Sequence, residues 1–140
     1  FRAHPEALPV DRDGCTLWYG SRQTFCPSSS AYREAALRMA RKLAERYADH
    51  PAVVMWHVHN EYGCHTPACY CDASAASFRD WLRAKYGDDL DALNHAWGTS
   101  FWSQWYYSWD EILPPRTTPA AQALSPRRLR RGHSAFRARD

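Results

Sequence analysis

The apolar positions fall into a few patterned stretches separated by polar, turn-forming text. From Ala31 onward, Tyr32, Ala36, Met39, Leu43 and Tyr47 recur at three- and four-residue spacing, with Arg33, Arg41, Glu45 and Arg46 largely off that stripe. This period predicts an amphipathic helix. Pro27-Ser28-Ser29-Ser30 leads into it, with Ser30 as the expected N-cap, since a serine hydroxyl can accept from an unpaired first-turn N–H. Pro51 is expected to stop it, because the ring lacks a donor and restricts the residue before it. The run Ala52-Val53-Val54-Met55-Trp56-His57-Val58-His59 is short, apolar and partly β-branched, so it reads as a buried strand ending at Asn60. A second helix is expected from about Ser74 to Tyr86, with Phe78, Trp81, Leu82 and Tyr86 on one face and Gly87 as its left-handed stop. A third runs from about Asp89 to Trp97, with Leu90, Leu93 and Trp97 inward and Gly98 behind it. Residues 3–30 and 99–119 read as loops, with one further strand conceivable near Leu17. A helix followed closely by a buried strand points to an α/β arrangement.

Length sets a bound on that reading. The chain has 140 residues, enough for one ordinary domain but short of the roughly 250 that a closed (β/α)8 barrel needs. Apolar residues are 45% and charged residues 24%, which argues against global disorder. Charge is unevenly spread. Residues 121–140 hold six arginines and one acid, for +5, which leaves 12 Lys+Arg against 14 Asp+Glu, or −2, in residues 1–120. The mildly acidic body gives no sign of a nucleic-acid partner. Only the basic run Ser125-Pro126-Arg127-Arg128-Leu129-Arg130-Arg131 could serve polyanions. No apolar run reaches the roughly 18 residues of a membrane span. The chain starts at Phe1 without a signal-peptide pattern, so a true N-terminus is expected to be missing. Five cysteines, an odd number that includes Cys69-Tyr70-Cys71, suit a reducing compartment or a metal better than a disulfide framework. A cytoplasmic location is the expectation.

Asn60-Glu61 is the sharpest chemical feature. A glutamate directly after a hydrophobic strand sits at the mouth of an α/β sheet, where active sites of such folds lie. Glycoside hydrolysis needs two carboxyl groups, one of them protonated to help the leaving oxygen depart. A partly buried carboxyl keeps its proton more readily, because desolvation disfavours the charged form. An asparagine can both donate to and accept from a sugar hydroxyl. Taken alone, the dipeptide fits an exposed turn better than a catalytic pair. The aromatic cluster Trp97, Phe101, Trp102, Trp105, Tyr106, Tyr107 and Trp109 could stack on sugars, but packing of a loop is the simpler role for any one ring.

The wider text shifts the balance. His-Asn-Glu-Tyr-Gly-Cys-His at 59–65, Cys-Tyr-Cys-Asp at 69–72 and Phe-Arg-Asp-Trp-Leu-Arg-Ala-Lys-Tyr-Gly at 78–87 occur together with Leu-Asn-His-Ala-Trp-Gly-Thr-Ser-Phe-Trp-Ser-Gln at 93–104 and Trp-Asp-Glu-Ile-Leu-Pro-Pro-Arg at 109–116. From about Leu8 to Pro119 the chain resembles glycoside hydrolase family 42, the microbial β-galactosidases. The resemblance implies a partial (β/α)8 TIM barrel covering roughly the third to fourth β/α units. It implies a retaining enzyme that hydrolyses terminal β-D-galactosyl residues and assembles as a homotrimer. It makes Glu61 the general acid/base at the end of the fourth strand, and Asn60 and Arg22 substrate-binding residues. No residue here matches the nucleophile. Glu34 and Glu45 lie on the polar side of the first helix and Glu111 in the far loop, so this chain alone is expected to be inactive. Cys26, Cys69 and Cys71 match three ligands of a structural zinc site found in some members. Ser74 stands where those members carry a fourth cysteine, and His65 or Asp72 could complete the tetrahedron instead. A non-enzymatic zinc module built on the three cysteines is the alternative function. Residues 1–119 are thus read as barrel fragment, and 120–140 as a basic, disordered tail that departs from the family.

Overall fold

The computed structural model describes residues 1–116 except Ser21, Gln23, Tyr62 and Trp102. The expected tail at 120–140 and the end of the 1–119 fragment lie outside the described residues. The chain divides into two compact units, with the cut between Cys69 and Tyr70.

In the first unit, a 3₁₀ turn at Pro5–Ala7 precedes a tight reversal. Leu17 N–H donates to Pro9 O at 2.8 Å and Asp11 N–H to Cys15 O at 2.9 Å, around a single antiparallel bridge between Val10 and Thr16. Asp11 Oδ1 closes the turn by accepting from the N–H groups of Asp13 and Cys15, and Gly14 supplies the left-handed step at φ 91°. The strand conceivable near Leu17 is only this one bridge.

Helix α1 runs Ser30–Tyr47. Its N-cap is Ser29, one residue earlier than expected, and the Ser29 hydroxyl accepts from Tyr32 N–H at 3.3 Å. The helix ends ahead of Pro51, through a short turn in which His50 N–H donates to Tyr47 O. The apolar stripe has the expected period, yet none of its residues is buried, and Met39 is 61% exposed.

The strand expected over Ala52–His59 does not form, and among the described residues there is no strand. A strand is defined by pairing, because each of its N–H and C=O groups needs a neighbour. No partner strand lies beside this segment in the described residues, so Val54 and Val58 are 91% and 87% exposed. The pattern identified a sequence fit for a sheet interior without the rest of the sheet.

The second unit has its own core. Helix α2, Asp72–Tyr86, ends on Gly87 at φ 65°, a conformation that costs glycine nothing. Helix α3, Leu90–Trp97, is capped by Asp89, whose side chain accepts from Ala92 N–H at 2.9 Å, and stops on Gly98. Phe78 and Leu82 of α2, Leu93 of α3 and Ile112 of the following loop are buried together. Trp81, Tyr86, Leu90, Trp97, Tyr106 and Trp109 pack around them. The loop thus returns to close a core that two short helices cannot close alone. A 3₁₀ turn at Trp109–Glu111 holds the returning segment, with Ser108 and Glu111 forming a reciprocal capping box. Arg79 of α2 donates to Ile112 O at 3.2 Å, and the Arg83 guanidinium lies 5.4 Å from the centre of the Trp109 ring.

Candidate functional site

The segments on either side of α1 carry the expected site residues of the first unit. Arg22 lies in the loop before the helix. Glu61 opens a turn after residues 52–59, in which Cys64 N–H donates to Glu61 O at 3.0 Å. Although 39 positions apart, they meet: Arg22 Nη2 lies 3.5 Å from Glu61 Oε2. Both side chains are more than half exposed. An ion pair in that setting contributes at most about 1 kcal/mol, so stability does not account for it. Glu61 also has φ 52°. A left-handed backbone costs a residue with a side chain roughly 1–2 kcal/mol compared with glycine. The turn therefore presents a carboxylate where glycine would fold more easily.

Glu61 is exposed rather than partly buried, which corrects the expectation of a desolvated carboxyl. That expectation required a sheet end around it, and the described residues supply none. Asn60 is beside it and exposed. In the same unit Phe25 stacks on Tyr32 with centroids 3.9 Å apart, and His59 meets Phe25 edge-on at 6.4 Å. Burial raises the Tyr32 phenol above its ordinary pKa. No sequence pattern marks this ring cluster, since Phe25 lies outside any periodic stretch.

Cys26 is fully buried, and its N–H donates to Ala7 O at 2.8 Å. Cys69 Sγ accepts from Val10 N–H at 3.3 Å. The Sγ atoms of Cys26 and Cys69 lie within 4.8 Å of each other. Cys71 follows Cys69 by two residues and is the N-cap residue of α2. Its Sγ lies 3.6 Å from the buried hydroxyl of Ser74, the residue at the expected fourth-ligand position.

In the second unit the structure adds a residue that the sequence reading missed. Asn94 is fully buried. Its Nδ2 donates to Tyr106 O at 2.8 Å, and its Oδ1 accepts from Tyr106 N–H at 3.0 Å and from the Thr99 hydroxyl at 2.5 Å. One amide thus holds both backbone groups of Tyr106 and anchors the aromatic loop to α3. The available signal was a polar residue on the apolar face of Leu90, Leu93 and Trp97. Of that aromatic cluster, Trp97, Tyr106 and Trp109 pack against the core, Trp105 meets His95 edge-on, and Phe101 and Tyr107 are exposed. Trp102 lies outside the described residues. Burial, and next the charge of Glu111, raise the Tyr106 pKa. Glu111 itself accepts from the N–H groups of Tyr107 and Ser108.

Among the described residues no helix is long and apolar enough to cross a membrane.

The family model for glycoside hydrolase 42, described as beta-galactosidase, matches residues 1–130. A beta-galactosidase of an Arthrobacter species is 56% identical over 119 residues, covering 85% of this chain and 17% of its own length. The beta-galactosidase LacZ of Heyndrickxia coagulans is 53% identical over 118 residues, covering 84% of this chain and 18% of its own. The chain therefore spans less than a fifth of these relatives. Among solved structures, the polyextremophilic beta-galactosidase of Halorubrum lacusprofundi superposes with a TM-score of 0.87 at 46% identity, over 97% of this chain and 20% of that one. Gan42B, a GH42 beta-galactosidase from G. stearothermophilus, superposes with a TM-score of 0.77 at 48% identity, over 82% of this chain and 16% of that one.

Proposed function

This chain belongs to glycoside hydrolase family 42 and is part of a TIM-barrel enzyme, and we propose that it carries the acid/base half of a retaining β-galactosidase site. In this reading it covers roughly the third to fourth β/α units. The observation that carries the proposal is the Arg22–Glu61 approach at 3.5 Å, which stability does not explain. The family membership and the β-galactosidase names of the relatives support the substrate class.

The chemistry follows from the groups. Glu61 in its protonated form gives its proton to the glycosidic oxygen as the bond to the aglycone breaks. The same carboxylate then takes a proton from the water that releases the sugar. Arg22 presents a planar fork of N–H donors to sugar oxygens, and Asn60 donates and accepts beside it. The nucleophile belongs about 5 Å from the acid/base in a retaining enzyme. No glutamate of this chain is assigned that role: Glu34 and Glu45 lie exposed on α1, and Glu111 is engaged in capping its own turn. The nucleophile is supplied by a barrel segment beyond this chain. A homotrimeric assembly of the longer enzyme and a cytoplasmic location are parts of the same reading.

The test is Glu61→Gln in a full-length enzyme carrying this segment. Turnover of lactose should fall by about 10²–10⁴, the usual contribution of a general acid. Bond cleavage in an aryl galactoside with a good leaving group should fall far less. Equal loss on both substrates, or none on lactose, rules the role out.

A second reading concerns metal, and the proximity of Cys26 and Cys69 favours it. In a tetrahedral site with zinc–sulfur bonds of about 2.3 Å, thiolates stand about 3.8 Å apart. Small side-chain rotations reach that spacing from within 4.8 Å. The donor set therefore fits zinc: Cys26, Cys69 and Cys71 would hold it, with Ser74 in place of the fourth thiolate. Such a zinc would be structural. Glycoside hydrolysis is carried by the carboxyl groups. A zinc module without enzymatic function is the alternative, and loss of zinc with full retention of Glu61-dependent turnover would separate the two roles.

A further inference from the structure

The thiols of Cys26 and Cys69 both lie in the first unit, within 4.8 Å of each other. They differ in access. Cys26 is wholly buried, and its backbone is fixed on both sides: its N–H donates to Ala7 O at 2.8 Å, and its O accepts from Ser29 N–H at 3.1 Å. Cys69 is half-buried, and its sulfur is held by Val10 N–H at 3.3 Å. No disulfide joins them. A reachable thiol beside a buried one is the arrangement in which the first reacts with an oxidant and the second resolves the product.

We propose that Cys26 and Cys69 are a redox modification site that closes to an intramolecular disulfide when challenged by a low-molecular-weight disulfide. The Cys69 thiolate attacks one sulfur of the oxidant. A mixed disulfide forms on Cys69 and one small thiolate leaves. The Cys26 thiolate then attacks Cys69 Sγ, and the second small thiolate departs. In total the two cysteines lose two protons and two electrons, and the oxidant is reduced to two thiols. The sulfurs must close from within 4.8 Å to about 2.05 Å. The new bond joins the loop that carries Arg22 to the stretch that follows Glu61. It encloses α1 and the Asn60–Glu61 turn in one covalent loop. The inference rests on the thiol geometry and stands independently of the galactosidase reading.

The experiment uses the 140-residue chain, reduced, freed of metal by a chelator and treated with oxidised glutathione without denaturant. The tryptic peptides 23–33 and 47–79 carry Cys26 and Cys64, Cys69 and Cys71, respectively. They should appear as one cross-linked species, about 2 Da lighter than their sum. Cys69→Ser should abolish the link, while Cys64→Ser and Cys71→Ser should leave it. Because Cys69 is not wholly buried, its serine variant tests the pairing without removing a core side chain. Two peptides that stay unlinked, a Cys69–Cys71 bond in their place, or a link that survives Cys69→Ser would each overturn the proposal.

Discussion

Glu61 and Asn94 show two ways in which one residue can matter. Glu61 is exposed, adopts a conformation better suited to glycine, and faces a guanidinium in an arrangement worth little to stability. Asn94 is buried, and its amide satisfies three polar groups of a neighbouring loop. Replacing Asn94 by Ala would leave the N–H and C=O of Tyr106 short of partners, while the Thr99 hydroxyl would keep only its bond to Asn94 O. The expected loss is about 2–4 kcal/mol of unfolding stability, since each buried polar group left unsatisfied costs roughly 1–3 kcal/mol and water reclaims part of it. Urea titration of the chain and its variant measures this, and a loss below about 0.5 kcal/mol would show that Asn94 is not the anchor. Ser74 supports a third residue-scale prediction. Its hydroxyl already lies 3.6 Å from Cys71 Sγ, so Ser74→Cys should add a fourth thiolate to the proposed ligand set and tighten zinc binding at least tenfold. Competition against a chromogenic chelator reads the affinity, and an unchanged affinity would remove Ser74 from the site. Glu61 was singled out by its place after the apolar run 52–59, whereas Arg22 was named from a family resemblance that residue spacing alone does not supply. Asn94 was missed because its importance depends on a loop twelve positions away.

At the scale of elements, the helices were legible and the strand was not. Helices α1, α2 and α3 satisfy their backbone groups within themselves, so a 3.6-residue period and capping residues mark them locally. The ends moved by a residue or two: Ser29 took the cap expected of Ser30, and α2 began at Asp72 rather than about Ser74. The run 52–59 needed neighbours that no local pattern provides, and it stands without a ladder. The loop that closes the second core supplies an element-scale prediction. Tyr106 is packed against that core, and its pKa lies above the ordinary 10.0 because burial disfavours the phenolate. A raised folded pKa means that the neutral ring's contribution is complete below pH 10. That contribution is lost as pH rises through the folded value. Tyr106→Phe keeps the backbone bonds to Asn94 and should shift alkaline unfolding to higher pH. Circular dichroism followed from pH 9 to 12 decides this, and identical midpoints would mean that Tyr106 ionisation does not drive the transition.

At the scale of the molecule, the chain spans 17–18% of its curated relatives and carries apolar faces that nothing described covers. Met39 and Leu43 on α1, and Val54, Met55 and Val58 after it, are exposed. Faces of this kind drive association when left uncovered. In the longer relatives the remaining chain has the length to form the barrel around them. The central claim is that this chain holds the acid/base group but lacks the nucleophile that acts with it. Removing one member of a concerted catalytic set can cost about 10⁶ in rate. The most direct measurement is a nitrophenyl β-galactoside assay of the purified 140-residue chain and its Glu61→Gln variant, prepared in a host without β-galactosidase. Both should show the same background hydrolysis. Turnover by the chain that disappears in Glu61→Gln would show that a complete site exists within these residues, and would contradict the claim.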